Sequence, residues 1–141
     1  VAGILDISDA IITWGLRGIP AGRILQSVAS GLLGRAAYDG GVATMALGTF
    51  LHFLIATSAA AAYVAASTRM PLLVRRAVLC GLAFGVAVYL FMNYVVLPLS
   101  AFPGRSSAFS LSAFVHGVIG HALLVGLPIA LLARKLTGPR V

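Results

Sequence analysis

Apolar positions in this chain run in long blocks, not in the mixed stripes of a water-exposed helix. The first block covers residues 1–17 and is interrupted by Asp6 and Asp9. Three longer blocks follow at 41–67, 77–99 and 108–133. A bilayer core of ~30 Å needs about 20 helical residues, so each of these three predicts a membrane span. The first block reaches only ~24 Å as a helix and is predicted to be a short fourth span. Residues 20–34 differ from all of these. Ile24, Leu25, Val28 and Leu32 recur at helical spacing, with Arg23, Gln26, Ser27 and Ser30 between them. That pattern predicts a short amphipathic helix lying in the membrane interface, with Pro20 at its first helical position. Gly34, Gly40 and Gly41 then turn the chain back, and Pro128 is predicted to kink or open the last span. The chain carries no internal repeat and no linker, so 1–141 reads as one membrane domain.

Composition strengthens this picture. Of 141 residues, 60% are hydrophobic and 9% charged, against roughly 25% charged in a soluble domain. Backbone polar groups in lipid must be satisfied within the segment, which selects helix. The expected fold class is therefore all-α: a polytopic transmembrane helix bundle of about four spans plus the interfacial helix. The net charge is +7, with ten Lys and Arg against three acids. The bases cluster at block ends, as topology signals and lipid head-group contacts do, and no nucleic-acid-binding motif accompanies them. Arg69, Arg75, Arg76, Arg134, Lys135 and Arg140 fall on one side, and Arg17, Arg23, Arg35 and Arg105 on the other. The excess on the first side predicts that both termini are cytoplasmic. Residues 1–16 do not read as a cleavable leader, because two acids break the apolar run. The single cysteine, Cys80, reads as a small apolar residue inside a helix.

The acids carry the chemistry. Asp6 and Asp9 are three residues apart, so they share a helix face, and Thr13 continues it. A carboxylate at bilayer depth costs several kcal/mol unless it faces the bundle interior or a wet cavity. Two such acids do not both ionise easily there, so one is expected to hold a proton. Other polar groups fall near the same depth. His121 is central in its block, His52 lies ~3 Å from the middle of its own, and Asn93 and His116 lie ~7.5 Å off centre. These positions predict a polar cluster of Asp6, Asp9, His52, Asn93, His116 and His121 that binds or relays protons, or holds a small polar ligand or ion. The bland alternative is that these groups only bond helices together. A third reading makes His52 and His121 the axial ligands of a b-type haem in an electron carrier. The chain has no catalytic motif: no phosphate loop, Cys-x-x-Cys pair or nucleophile elbow. No catalytic residue and no resident cofactor are otherwise predicted.

Small residues predict how the helices pack. Gly81 and Gly85 form a Gly-x-x-x-Gly pair, Ala56 and Ala60 a small pair on the second span, and Ala113 and Gly117 another leading to His121, with Gly120 beside it. Such pairs let backbones approach within one chain or between copies, so a homo-oligomer is an open expectation. The stretches LDISDAI, RILQSVASGLLGRAAYDGG, LHFLIA, MNYVVLPLS and HALLVGLPIAL together cover most of the chain. Through them it resembles a group of small, uncharacterised bacterial four-helix inner-membrane proteins with no assigned reaction. That resemblance implies a fold and a compartment, the bacterial inner membrane, and no functional residue. A non-catalytic subunit packed into a larger membrane complex is the rival reading from another class.

Overall fold

The computed structural model describes residues 1–104 and 110–137, and these are helical nearly throughout, with no strand among them. Arg105, Arg140 and the expected start of the last span at 108 lie outside the described residues. The helices are α1 (Ala2–Gly15), α2 (Ala21–Leu33), α3 (Gly41–Ser67), a short α4 (Pro71–Arg75), α5 (Ala77–Leu99) and α6 (Leu111–Thr137). A 3-10 turn, Gly34–Tyr38, joins α2 to α3. Three of them, α3, α5 and α6, are long and apolar enough to cross a membrane. Large apolar side chains such as Phe50, Leu54, Leu79, Phe91 and Ile119 point outward along them. A water-soluble bundle would bury those groups, whereas lipid accepts them.

Local chemistry sets the helix ends. At the end of α1 the Ile19 N–H donates to the Trp14 carbonyl (3.1 Å) and the Gly18 N–H to that of Gly15 (2.9 Å). This Schellman closure needs a left-handed residue, and Gly18 supplies it at φ +82°. The regular helix ends at Gly15, and the closing turn carries the chain on to Gly18. Pro20 follows as the extended residue capping α2, one position before the helix that it was expected to begin.

Both long helices that end the chain contain one π-helical turn, Met92–Val96 in α5 and His121–Gly126 in α6. Each ends two residues before a proline, Pro98 or Pro128. Proline has no N–H to donate and its ring crowds the carbonyl four residues back, and a wider turn relieves that clash. The predicted opening at Pro128 thus takes the form of a π turn, and Pro98 produces a second.

Glycine brings α5 and α6 into backbone contact. A Cβ on Gly85 would strike the His121 carbonyl and Ala122, and a Cβ on Gly81 would meet Ala130 and the Gly126 carbonyl. Gly126, with no counterpart in the sequence reading, completes this contact. A Cβ there would strike the Gly81 carbonyl. Beside it lies the apolar core: Ala2, Tyr63, Ala77, Val125, Ile129, Ala130 and Ala133. At that end of the bundle Ser67 and Thr137 share a hydroxyl hydrogen bond (3.1 Å), and the Tyr63 O–H donates to the Leu73 carbonyl (3.2 Å). At the opposite end the Ala101 N–H, in the loop after α5, donates to the Gly31 carbonyl at the end of α2 (2.9 Å).

The α2 helix corrects one expectation. Gln26 and Ser30 were placed on its polar side, yet both are buried, while Leu32 is exposed. The Gln26 amide donates to the Gly41 carbonyl and to Thr44 Oγ1, both at 3.3 Å. Gly48 of α3 lets the Leu25 carbonyl approach closely. Packing against a glycine on α3, together with a buried polar pair, outweighs the simple apolar stripe.

Candidate functional site

The α1 helix runs antiparallel to α6. Gly3 packs on Phe53 and Ala56 of α3, Asp6 lies opposite His121, and Asp9 lies opposite His116 and Gly120. Tight packing at the start of α1 gives way to a cleft along its second half. The cleft has a volume of about 630 Å³ and lies between α1, the end of α5 and the start of α6. A volume of that order accepts a small ligand. Five of the six predicted polar residues line it: Asp6, Asp9, Asn93, His116 and His121.

Each acid has its own imidazole. His116 Nε2 lies 3.1 Å from Asp9 Oδ2 and 3.3 Å from Thr13 Oγ1. One nitrogen therefore reaches both a carboxylate and a hydroxyl. With its proton in place it donates to Asp9, and without it the nitrogen can accept from the Thr13 O–H. One turn deeper, the His121 Nδ1–H donates to the Gly117 carbonyl (3.0 Å) and lies 3.9 Å from Asp6 Oδ1. The second pair sits within ion-pair range but beyond hydrogen-bond length. The two acids thus face separate imidazoles on successive turns.

Glycines and aromatics shape the cleft. Gly117 receives the Tyr89 ring, which a Cβ would displace. That ring stacks edge-on with His121 (centroids 5.2 Å apart) and with Phe114 (5.7 Å). Gly120 leaves room beside Asp9, whose Oδ2 would be 3.5 Å from an added Cβ. Gly117 and Gly120 thus serve the site, while Gly81 and Gly85 serve the helix contact. The Asn93 amide donates to the Tyr89 carbonyl (2.9 Å), one turn back on the same helix, within the π turn of α5. His121 opens the π turn of α6. Both polar groups therefore sit where the backbone departs from the α form.

The bundle does not bring His52 to this cleft. Its Nε2–H donates to the Gly3 carbonyl (2.8 Å), which ties the start of α1 to α3, and its ring faces a separate cleft beyond α1. His52 and His121 line different clefts, so a haem held between them would have to reach from one cleft to the other. Among the described residues no three His, Cys, Asp or Glu side chains converge on a metal-binding point. Depth also shifts. With α6 running to Thr137, its middle falls at Leu124, which puts His121 ~4.5 Å and His116 ~12 Å from that level. The cleft is therefore deepest at Asp6 and His121, near the bundle centre, and opens at Arg17 and Phe102 beside the α2 end.

Sequence reasoning missed Tyr89, Trp14, Arg17 and Phe102 as lining residues. Arg17 was accessible in principle, because it continues the Asp6, Asp9 and Thr13 face at helical spacing. Phe102 lies in a loop and left no periodic signal. The Arg17 guanidinium stacks over the Trp14 ring, 4.9 Å from its centroid, at the rim. Comparison with protein-family models, curated proteins and solved structures finds no match to this chain.

Proposed function

We propose that this chain is a four-span protein of the bacterial inner membrane, with cytoplasmic termini, whose α1–α5–α6 cleft takes up protons and passes them between two acid–imidazole pairs. The observation that carries the reading is the stacked arrangement of Asp9 with His116 (3.1 Å) and Asp6 with His121 (3.9 Å). Imidazole exchanges protons near neutral pH, and ionisable groups facing a bundle interior are the usual parts of a proton relay. A proton arriving at the rim meets His116 first. It can rest on His116 Nε2 or on the Asp9 carboxyl with no movement of either chain. Transfer to the deeper pair needs one water or a small approach of the side chains, as the longer distance requires. Beyond Asp6 the way is filled by the Ala2, Val125 and Ile129 core. The cleft is therefore a half-channel, and release on the far side requires α1 to move. The same volume has room for a small polar ligand whose uptake is coupled to the proton.

Two elements of this reading rest on position. The α1 helix, at ~21 Å, is short for a full span, but its antiparallel run along α6 supports reading it as the fourth. The α2 helix packs on the first half of α3, where Gly22 meets Met45 and Leu25 and Ala29 both meet Gly48. The contact at Gly48 is ~9 Å from the α3 middle, which supports reading α2 as an interfacial helix.

Proteoliposomes loaded with a pH-sensitive dye test the proposal. Wild-type protein should carry protons faster than empty vesicles, and Asp9→Asn and His121→Ala should each slow the flux at least tenfold. Flux no greater than in empty vesicles, or unchanged in both variants, would overturn it. The rival reading, a non-catalytic subunit of a larger complex, draws on a groove of about 530 Å³ between α3 and α5 that is apolar but for Ser58. Extraction in mild detergent separates the two, because a subunit should migrate with its partners.

A further inference from the structure

The cleft beyond α1 has its own chemistry. It lies between α1, α2 and α3, has a volume of about 660 Å³, and is walled by Ile7, Ile24, Val28 and Pro20. We propose that it binds an anionic membrane phospholipid, with the phosphate at Arg23 and an acyl chain along the apolar wall. The inference rests on α2 lying at the interface, and it stands apart from any proton transfer.

Charge and position both point to such a lipid. Arg23 is exposed and lines the cleft with its guanidinium 5.0 Å over the Tyr38 ring, and Trp14, which borders both clefts, carries Arg17 on its ring. A guanidinium held over an aromatic face loses less freedom when it takes up a phosphate, and its planar fork matches the phosphate oxygens. Pro20 opens α2 at the same cleft, so the positive end of that helix adds to the field. Basic and aromatic side chains together at this depth match the head-group layer. Besides Arg23 and the Tyr38 beneath it, the ionisable groups lining the cleft are Asp6 and His52, and both are spoken for: Asp6 lies within ion-pair range of His121, and His52 holds the Gly3 carbonyl. A free phosphate would leave the apolar wall unfilled, which an acyl chain covers.

The test uses the whole protein, delipidated in mild detergent. Phosphatidylglycerol and phosphatidylcholine of identical chains are titrated separately and followed by native mass spectrometry. The anionic lipid should bind at least tenfold more tightly. Arg23→Gln should remove most of that preference, and Arg23→Lys should keep part of it by charge alone. Val28→Trp, which fills the wall, should weaken both lipids. Arg35→Gln, on an exposed side chain outside the cleft, should change nothing. Equal affinity for the two lipids would overturn the proposal. So would an equal loss in Arg35→Gln and Arg23→Gln, which would mean a diffuse surface attraction. Displacement of the lipid by millimolar inorganic phosphate would also overturn it, by showing a simple anion site.

Discussion

A histidine inside a membrane bundle works through what its two nitrogens touch, and the three in this chain differ on that point. His52 gives its Nε2–H to a backbone carbonyl and holds α1 against α3. His116 and His121 face carboxylates. Their substitution should therefore divide cleanly. His52→Phe keeps the ring and loses one hydrogen bond, so it should lower stability by about 1 kcal/mol while proton flux persists. Thermal melts in detergent, run beside the vesicle assay, check both halves. Thr13→Val should slow flux less than Asp9→Asn does, because it removes the weaker of the two His116 contacts and leaves the acid. Equal losses in those two variants would show that the step needs the hydroxyl as much as the carboxylate.

At the scale of helices, glycines and prolines decide the arrangement. Gly85→Ala pushes a methyl group into the His121 carbonyl, so α5 and α6 must separate. Overpacking of this kind costs typically 1–3 kcal/mol, and a marked drop in melting temperature is expected. Gly15→Ala meets open space and should be neutral or mildly stabilising, which makes it the matched control. Pro128→Ala restores a backbone N–H and lets the π turn relax toward the α form. Each residue of register is worth ~100° of rotation, so His116 should swing away from Asp9. Spin labels at positions 10 and 113 would report a changed distance, with flux lost but the helix content unaltered by circular dichroism. An unchanged distance would mean that packing against Gly81 and Gly85, not the proline, maintains the turn.

For the whole molecule the question is which ends share a side. In a Cys80→Ser background, single cysteines at Leu16 and Ala101 should react with a membrane-impermeant reagent from one face only. Cysteines at Val1 and Thr68 should react only from the other. Reaction of positions 1 and 16 from the same face would show that α1 enters without crossing. That outcome would also remove the half-channel, since its deep end would no longer be at mid-depth.

Block length and hydropathy were enough to mark three helices long and apolar enough to span and the ends near residues 41, 67, 77 and 99, because spanning lipid is a one-dimensional demand on consecutive residues. Prolines and paired glycines marked where helices would open or touch for the same local reason. The face of α1 was legible too, since Asp6, Asp9 and Thr13 sit at helical spacing. What each acid would meet was not legible. Depth along a helix follows from counting, but rotation about its axis does not, and rotation turned His52 toward a carbonyl while bringing His116 and His121 to the acids. Gln26 and Ser30 make the same point on α2: their burial depends on a glycine in another helix. Partners across the bundle are a property of the assembled helices, set by close backbone contact at Gly48, Gly85 and Gly126, which no single segment contains.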